Sequence, residues 1–210
     1  MQLTSKSFSD GAPIPGEFAF AVIDPVNHIA LSTNRNPHLA WSGVPEGTES
    51  FALIYHDPDV PNRADDVNKE DREIPESFPR DLFFHWVLLD IPATAREIPA
   101  GSHSDRITAK GKPGPAAPNG ARHGLNNYTQ WFAGDENMRG DYYGYDGPCP
   151  PWNDLRLHHY VFTLYALDVP QVEVHGDLTG ANARLAIAGN VLAQASLTGT
   201  YTLNPRVRQG

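Results

Sequence analysis

The sequence predicts a single, mainly β domain spanning residues 1–210, on three observations. First, 19 prolines and 18 glycines are spread along the whole chain and bound short apolar runs, the punctuation of strands and loops rather than of long helices. Second, three of those runs are rich in aromatic and β-branched residues, which pack well on a pleated surface. Third, only one stretch carries the 3.6-residue spacing of an amphipathic helix. With 210 residues and 40% hydrophobic side chains, the chain is long enough for one sizeable core.

Taken in order, EFAFAVI (17–23) and HLAWSGV (38–44) are the first strand candidates, both weak. FALIYH (51–56) is a strong one and runs directly into DPDVP (57–61), two acidic residues set between prolines. The charged, Pro-rich segment 62–81 reads first as an elaborate solvated loop; loops of that length are uncommon without a role, so a lid or an oligomer contact is the alternative. LFFHWVLLDI (82–91) is the second strong strand. Segment 101–147 is again polar and loop-like. HHYVFTLYALD (158–168) is the third strong strand. ANARLAIAGNVLAQA (181–195) is the predicted helix, with Leu185, Ala188, Val191, Leu192 and Ala195 on one stripe and Thr179 as its N-cap. SLTGTYTL (196–203) is a last, weaker strand.

Charge and cysteine usage exclude several classes. The balance of 16 basic against 25 acidic residues, a formal charge of −9, argues against nucleic acid or an anionic membrane as a partner held by general electrostatics. Cys149 is the only cysteine, so no intramolecular disulfide is possible, and MQLTSKSFSDG lacks the features of a secretory signal. A cytoplasmic location is expected, with no use for the N-Y-T sequon at Asn127. No apolar run approaches the roughly 20 residues needed to cross a bilayer, so stable membrane insertion is not expected.

Alternate residues of a strand share a face. Phe51, Leu53, Tyr55 and Asp57 therefore point one way; so do Phe83, His85, Val87 and Leu89, and so do His158, Tyr160, Phe162 and Leu164. In each row a polar group ends or interrupts an apolar line. If the three strands are neighbours, Asp57, His85 and His158 converge on one pocket with Tyr160 beside them, although each histidine taken alone also fits a hydrogen-bonded core role. A carboxylate near two imidazoles favours their protonated forms, and such a cluster suits a small anion such as a phosphate group. In GPCPP (147–151) only Gly147 and Cys149 keep backbone N–H groups, so one of those amides can complete the pocket while Pro150 and Pro151 form a stiff apolar rim.

At these residues the chain resembles the phosphatidylethanolamine-binding protein family, which includes the Raf kinase inhibitor proteins and bacterial relatives. The resemblance runs through SFSDGAPIP (7–15), NPHLAWSGVPEGTESFALIYHDPDVP (36–61), FFHWVLLDIP (83–92), GYDGPCPP (144–151), LHHYVFTLYALD (157–168) and LAQASLTGTYTL. It implies a large central antiparallel sheet with a smaller sheet packed on it and a few peripheral helices, one near the C-terminus. It also implies an anion pocket formed by Asp57, His85, Pro150, His158 and Tyr160, with Asp59 and the Pro61 turn shaping the wall; Cys149 joins these as the pocket-loop residue with an amide. Animal members carry glycine where this chain has Cys149, a basic residue where it has Trp152 and arginine where it has His159, so kinase contacts are not carried over residue by residue. The long loops fit the bacterial subgroup.

The expected function is thus the binding of a phosphorylated or other small anionic group, including a phospholipid head group, by a monomer or homodimer without cofactor, with a regulatory protein partner such as a kinase or protease. Two enzymes compete with that reading. A metal-dependent enzyme would use His56, Asp57, His85, His158 and His159, but on strands His56 and Asp57 face opposite sides, as do His158 and His159, so no short two-ligand motif is present. A cysteine hydrolase would pair Cys149 with His158, but the flanking prolines remove the amides an oxyanion hole needs.

Overall fold

The computed structural model describes residues 1–208. Ten strands appear in chain order: β1 (Gln2–Thr4), β2 (Ala21–Asp24), β3 (His28–Leu31), β4 (Leu39–Ser42), β5 (Ser50–Pro61), β6 (Arg80–Pro92), β7 (Glu97–Ile98), β8 (Arg122–His123), β9 (His158–Leu167) and β10 (Val191–Tyr201). Two helices, α1 (Tyr128–Trp131) and α2 (Gly180–Ile187), are short. The large sheet is antiparallel with order β10-β9-β5-β6-β8, a smaller one runs β1-β4-β7, and β2 and β3 form a separate hairpin. The three strong runs of the sequence are therefore neighbours, with β5 between β6 and β9.

The smaller sheet covers one face of the large one. Leu3, Leu39, Trp41 and Ile98 join Phe51, Leu53, Tyr55, Trp86, Leu88, Phe162 and Leu164 in the main core. Aromatic packing holds this layer: Tyr55 stacks on Phe162 at 3.9 Å between ring centroids, and Trp41 meets Phe51 edge-on at 5.3 Å. On the opposite face α2 lays Ala183 and Ile187 over Ala52, Ile54, Phe84, Val87 and Leu89. The helix starts on glycine for a steric reason: a Cβ at position 180 would lie 2.2 Å from Phe84 Cγ.

Three expectations are corrected. The helix ends at Ile187 instead of running to residue 195, because Gly189 and Asn190 interrupt it and VLAQA has a two-residue alternation that pairs with β9. Leu185, placed on the predicted apolar stripe, is 77% exposed, whereas the Thr179 cap is present, its hydroxyl accepting from the Asn182 amide at 3.3 Å. The strand expected over 17–23 is β2 and begins only at Ala21, since Gly16–Phe18 forms a 3-10 turn and the Phe20 amide donates to the Pro148 carbonyl. The third correction bears on the site. Along β5 and β6 the register passes from Tyr55↔Trp86 to His56↔Phe84, which leaves His85 as an extra residue, a β-bulge. Strict alternation fails there. His85 faces Tyr55 and Tyr160, as Trp86 faces the main core, while Val87 and Leu89 turn to the α2 side with Phe84.

Candidate functional site

At the lower end of β5, β6 and β9 lies a cavity of about 290 Å³. Seven of the residues singled out in the sequence line it: Asp57, Pro61, His85, Cys149, Pro150, Pro151 and Tyr160. Asp59 and His158 do not. The expectation that His158 forms part of the pocket wall is corrected, because it is 0% exposed and hydrogen-bonded to Asp57 from outside the lining. Its Nδ1–H donates to Asp57 Oδ2 at 2.7 Å and its Nε2–H to Asp154 Oδ2 at 3.1 Å. Both ring nitrogens thus face carboxylate oxygens and both carry protons. Burial alone would lower its pKa, but the Asp57 charge and the hydrogen bonds to Asp154 and Asp57 outweigh it and raise the imidazolium to about 9.

Beyond His158 the chain of charge continues. Arg80 grips Asp154 through two bonds, Nη1 to Oδ2 at 2.5 Å and Nη2 to Oδ1 at 3.0 Å. Burial pushes the Asp154 carboxyl upward, yet the bonds from His158 and Arg80 hold it below the usual carboxylate range. Asp57, His158, Asp154 and Arg80 therefore form two anions and two cations in alternation. The negative charge that Asp57 brings to the cavity is balanced from behind.

The conformation of Asp57 is fixed by an Asx-type bond, the Asp59 amide donating to its Oδ1 at 2.7 Å. This is what the Asp-Pro-Asp sequence does: the first aspartate faces the cavity and the second props the turn. Asp59 accepts from Arg156 Nε at 2.6 Å and from the amide and ring Nδ1 of His159 at 2.9 and 2.8 Å. Burial raises its pKa less than these bonds from His159 and Arg156 lower it.

His85 is neutral, where a nearby carboxylate was expected to favour its protonated form, and a loop carbonyl orients it. Its Nδ1–H donates to the Asp146 carbonyl at 2.9 Å, not to Asp57. Burial lowers its pKa to about 4, against the opposing pull of Asp57, so the ring is neutral and Nε2, the nitrogen not engaged by Asp146, is a hydrogen-bond acceptor. Tyr160 is fully buried and its hydroxyl has no partner at ordinary hydrogen-bond geometry; burial, then the charge of Asp57 and a weak hydrogen bond toward the same carboxylate, raise its pKa well above the ordinary value, so it remains a donor. In the GPCPP loop the Gly147 amide donates to Asn34 Oδ1 at 2.8 Å, so of the loop's two amides Cys149 is the one not committed in this way. The Cys149 thiol is pushed by burial to about 12, which makes it a poor nucleophile.

Several wall residues escaped sequence reading. Phe20, Phe83 and Tyr128 close the cavity beside His85, and the Tyr128 hydroxyl is engaged by the Gly147 carbonyl at 2.9 Å. The 62–81 segment contributes Ala64, Val67 and Asn68. It is folded over the cavity by Asn153, whose amide donates to the carbonyls of Asp66, Lys69 and Arg72 while its oxygen accepts from the Asn68 amide. His28 ties the β2–β3 hairpin to the same region, stacked on Trp152 at 3.8 Å and bonded to Glu70 at 2.8 Å. The signal for Asp154 was present in DLRLH, where it precedes His158 by four residues, but it lies before β9 and no strand pattern points to it. Among the described residues no three histidine, cysteine or acidic side chains are grouped so as to hold a metal ion.

Comparison with known proteins decides the family. The model for the phosphatidylethanolamine-binding protein family matches residues 4–202. The chain belongs to the phosphatidylethanolamine-binding protein family. Among its relatives YbhB of Escherichia coli (strain K12) is 28% identical over 203 residues, covering 96% of this chain and 100% of that protein. YbcL of the same organism is 31% identical over 170 residues, 81% of this chain and 73% of YbcL. The crystal structure of YbcL, described as a member of the mammalian family, superposes with a TM-score of 0.68 at 28% identity, covering 96% of this chain and 97% of that one. The structure of CT736 from Chlamydia trachomatis gives a TM-score of 0.63 at 28% identity, covering 95% of each chain. The central sheet, the smaller sheet and the few helices are thus the family fold. No helix among the described residues is long and apolar enough to cross a membrane.

Proposed function

We propose that the protein binds a small ligand through an anionic, preferably phosphorylated, head group seated between Asp57, His85 and Tyr160. The observation that carries this reading is the buried Tyr160 hydroxyl, a donor at the wall of a cavity without a partner at ordinary hydrogen-bond geometry. Buried polar groups are seldom left unpaired, and an unpaired donor beside a cavity suits an acceptor brought by a ligand. A phosphomonoester monoanion matches the rest: its unprotonated oxygens accept from Tyr160 and the Cys149 amide, and its P–OH donates to His85 Nε2. The imidazolium of His158, 2.7 Å from Asp57, offsets the carboxylate that would otherwise repel the anion.

A second reading is favoured by Asp57 itself. A carboxylate and a neutral imidazole are both acceptors, which also suits a primary ammonium group. Calorimetric titration with methyl phosphate and with ethylammonium chloride separates the two. Heat of binding with methyl phosphate only supports the anionic head; heat with ethylammonium only transfers the site to a cation. In either case the protein acts by binding rather than by catalysis, and any influence on a kinase or protease would follow occupancy of this cavity. A reducing compartment, the cytoplasm, fits a chain whose single cysteine is a thiol of raised pKa.

A further inference from the structure

The polar 101–147 segment buries a charged pair next to the cavity. Asp146 is 1% exposed and is not among the residues that line the cavity. Its Oδ1 accepts from Lys112 Nζ and from Asn34 Nδ2, both at 2.7 Å, and its Oδ2 accepts from Asn126 Nδ2 at 2.8 Å. Lys112 reaches it because the two arms of the segment close tightly. Lys112 bridges Tyr143, a Cβ at position 111 would lie 2.0 Å from the Asp141 carbonyl oxygen, and one at position 140 would lie 2.2 Å from that of Lys110, so glycine is needed at both places. The backbone of Asp146 is turned to His85: its amide donates to the His85 carbonyl at 3.0 Å, and its carbonyl accepts from His85 Nδ1–H at 2.9 Å. One residue thus holds an ion pair with its side chain and the cavity histidine with its main chain. A buried ion pair is weak evidence for stability, because desolvation offsets the attraction, and its best-attested use is to fix one arrangement against others. Burial raises the Asp146 pKa against the pull of Lys112, Asn126 and Asn34, so without the ammonium the carboxyl would take up a proton or leave its seat.

We propose that Lys112 is a positioning residue for the cavity: its hold on the Asp146 carboxylate keeps the Asp146 carbonyl on His85 Nδ1, which leaves His85 Nε2 bare as an acceptor. A neutral imidazole has one donor nitrogen and one acceptor nitrogen, and the partner of either one sets the tautomer. With the carbonyl in place, Nδ1 carries the proton. With the carbonyl withdrawn, the proton is free to move to Nε2, and a ligand would meet a donor where the P–OH of a phosphomonoester needs an acceptor. The consequence for binding rests on the anionic-head reading; the choice of tautomer does not.

The test is NMR of the His85 ring nitrogens at neutral pH in the parent and in Lys112→Met, which keeps an apolar stem and removes the charge. The parent should show Nδ1 protonated and Nε2 bare, and Lys112→Met a mixture of the two tautomers. Methyl phosphate affinity, measured by calorimetry, should fall by the same factor as the Nδ1–H population, so a drop to about one-fifth weakens binding about fivefold. A Lys112 that only supports the fold would lower the midpoint of urea unfolding and leave the ring-nitrogen pattern of the parent, which overturns the proposal. If Lys112→Met does not fold, the double variant Lys112→Met with Asp146→Asn, which leaves neither charge of the pair behind, decides in its place: mixed tautomers support the positioning role and the parent pattern overturns it. If the parent binds no methyl phosphate the head-group reading fails, and the ring-nitrogen comparison still decides whether Lys112 sets the tautomer.

Discussion

Replacing Tyr160 by phenylalanine separates stability from binding in opposite directions. The hydroxyl is fully buried and has no partner at ordinary hydrogen-bond geometry, only a weak pull from the Asp57 carboxylate, so the folded protein gains little from it and bears most of the cost of its desolvation. That cost is about 1–3 kcal/mol for an unpaired buried polar group. The ring keeps its place, packed at 6.0 Å from Tyr55 and 5.3 Å from His85 between centroids, because phenylalanine preserves its shape. Urea unfolding of Tyr160→Phe should therefore give an unchanged or higher stability, by up to about 2 kcal/mol. Methyl phosphate binding should weaken, since a hydrogen bond to a charged group is worth about 1.5–3 kcal/mol, or roughly 10- to 150-fold in affinity. Affinity within twofold of the parent would refute the role given to the hydroxyl. A loss of stability greater than about 1 kcal/mol would show that the hydroxyl has an internal partner, which removes the reason for assigning it to a ligand.

The buried charge chain is expected to be intolerant of halves: Asp154→Asn or Arg80→Ala should lower stability by about 3–5 kcal/mol in denaturant unfolding, because each leaves a buried charge without its partner. Asp57→Asn should lower the pKa of His158 from about 9, as read by ring-proton NMR, since the carboxylate charge is the largest influence raising it. Stability should also depend on pH in two windows. His85 and His123, buried, and His103, half-buried, are neutral with pKa values lowered by desolvation to about 4, 3 and 4, so the unfolded chain binds protons first and stability falls as pH drops below about 6.5, at up to about 1.4 kcal/mol per unit for each group. His158 is raised, so its contribution is complete below about 6.5 and is lost as pH climbs toward 9; a thermal melt series that is flat from pH 4 to 9 would contradict both signs. Finally, Cys149 should alkylate far more slowly at pH 8 than an exposed thiol, its pKa being about 12.

The sheet was readable because β5, β6 and β9 are long, aromatic and β-branched, and their period of two points one row of each at the core. That Asp57 and His158 share a face followed from that pattern, but their adjacency rests on the pairing of β5 with β9, which runs without a bulge from Ser50 to His56. His85 was found for a reason that does not hold: alternation grouped it with Val87 and Leu89, and only the bulge, invisible in the residue pattern, turns it toward Tyr160. The role of His158 was misread because strand periodicity gives a face but not a depth, and nothing in HHYVF says that Asp154 closes over the ring from outside β9. The α2 boundary was missed because alanine-rich segments satisfy both periods, and pairing with β9 decided between them. The cavity wall of residues 62–81 was hidden by composition, since a few inward apolar side chains in a charged loop leave no periodic trace.

The central claim, an anionic head group at Asp57, His85 and Tyr160, is tested most directly by titrating methyl phosphate into the protein and following the histidine ring nitrogens by NMR at several pH values. Hydrogen bonding of the ester to Nε2 should shift the His85 resonance and raise its apparent pKa from about 4, because an anion beside the ring favours the imidazolium. His158, enclosed by Asp57 and Asp154, should move little. A saturating His85 shift with a raised pKa is the predicted result; an unmoved His85 at millimolar methyl phosphate would contradict it.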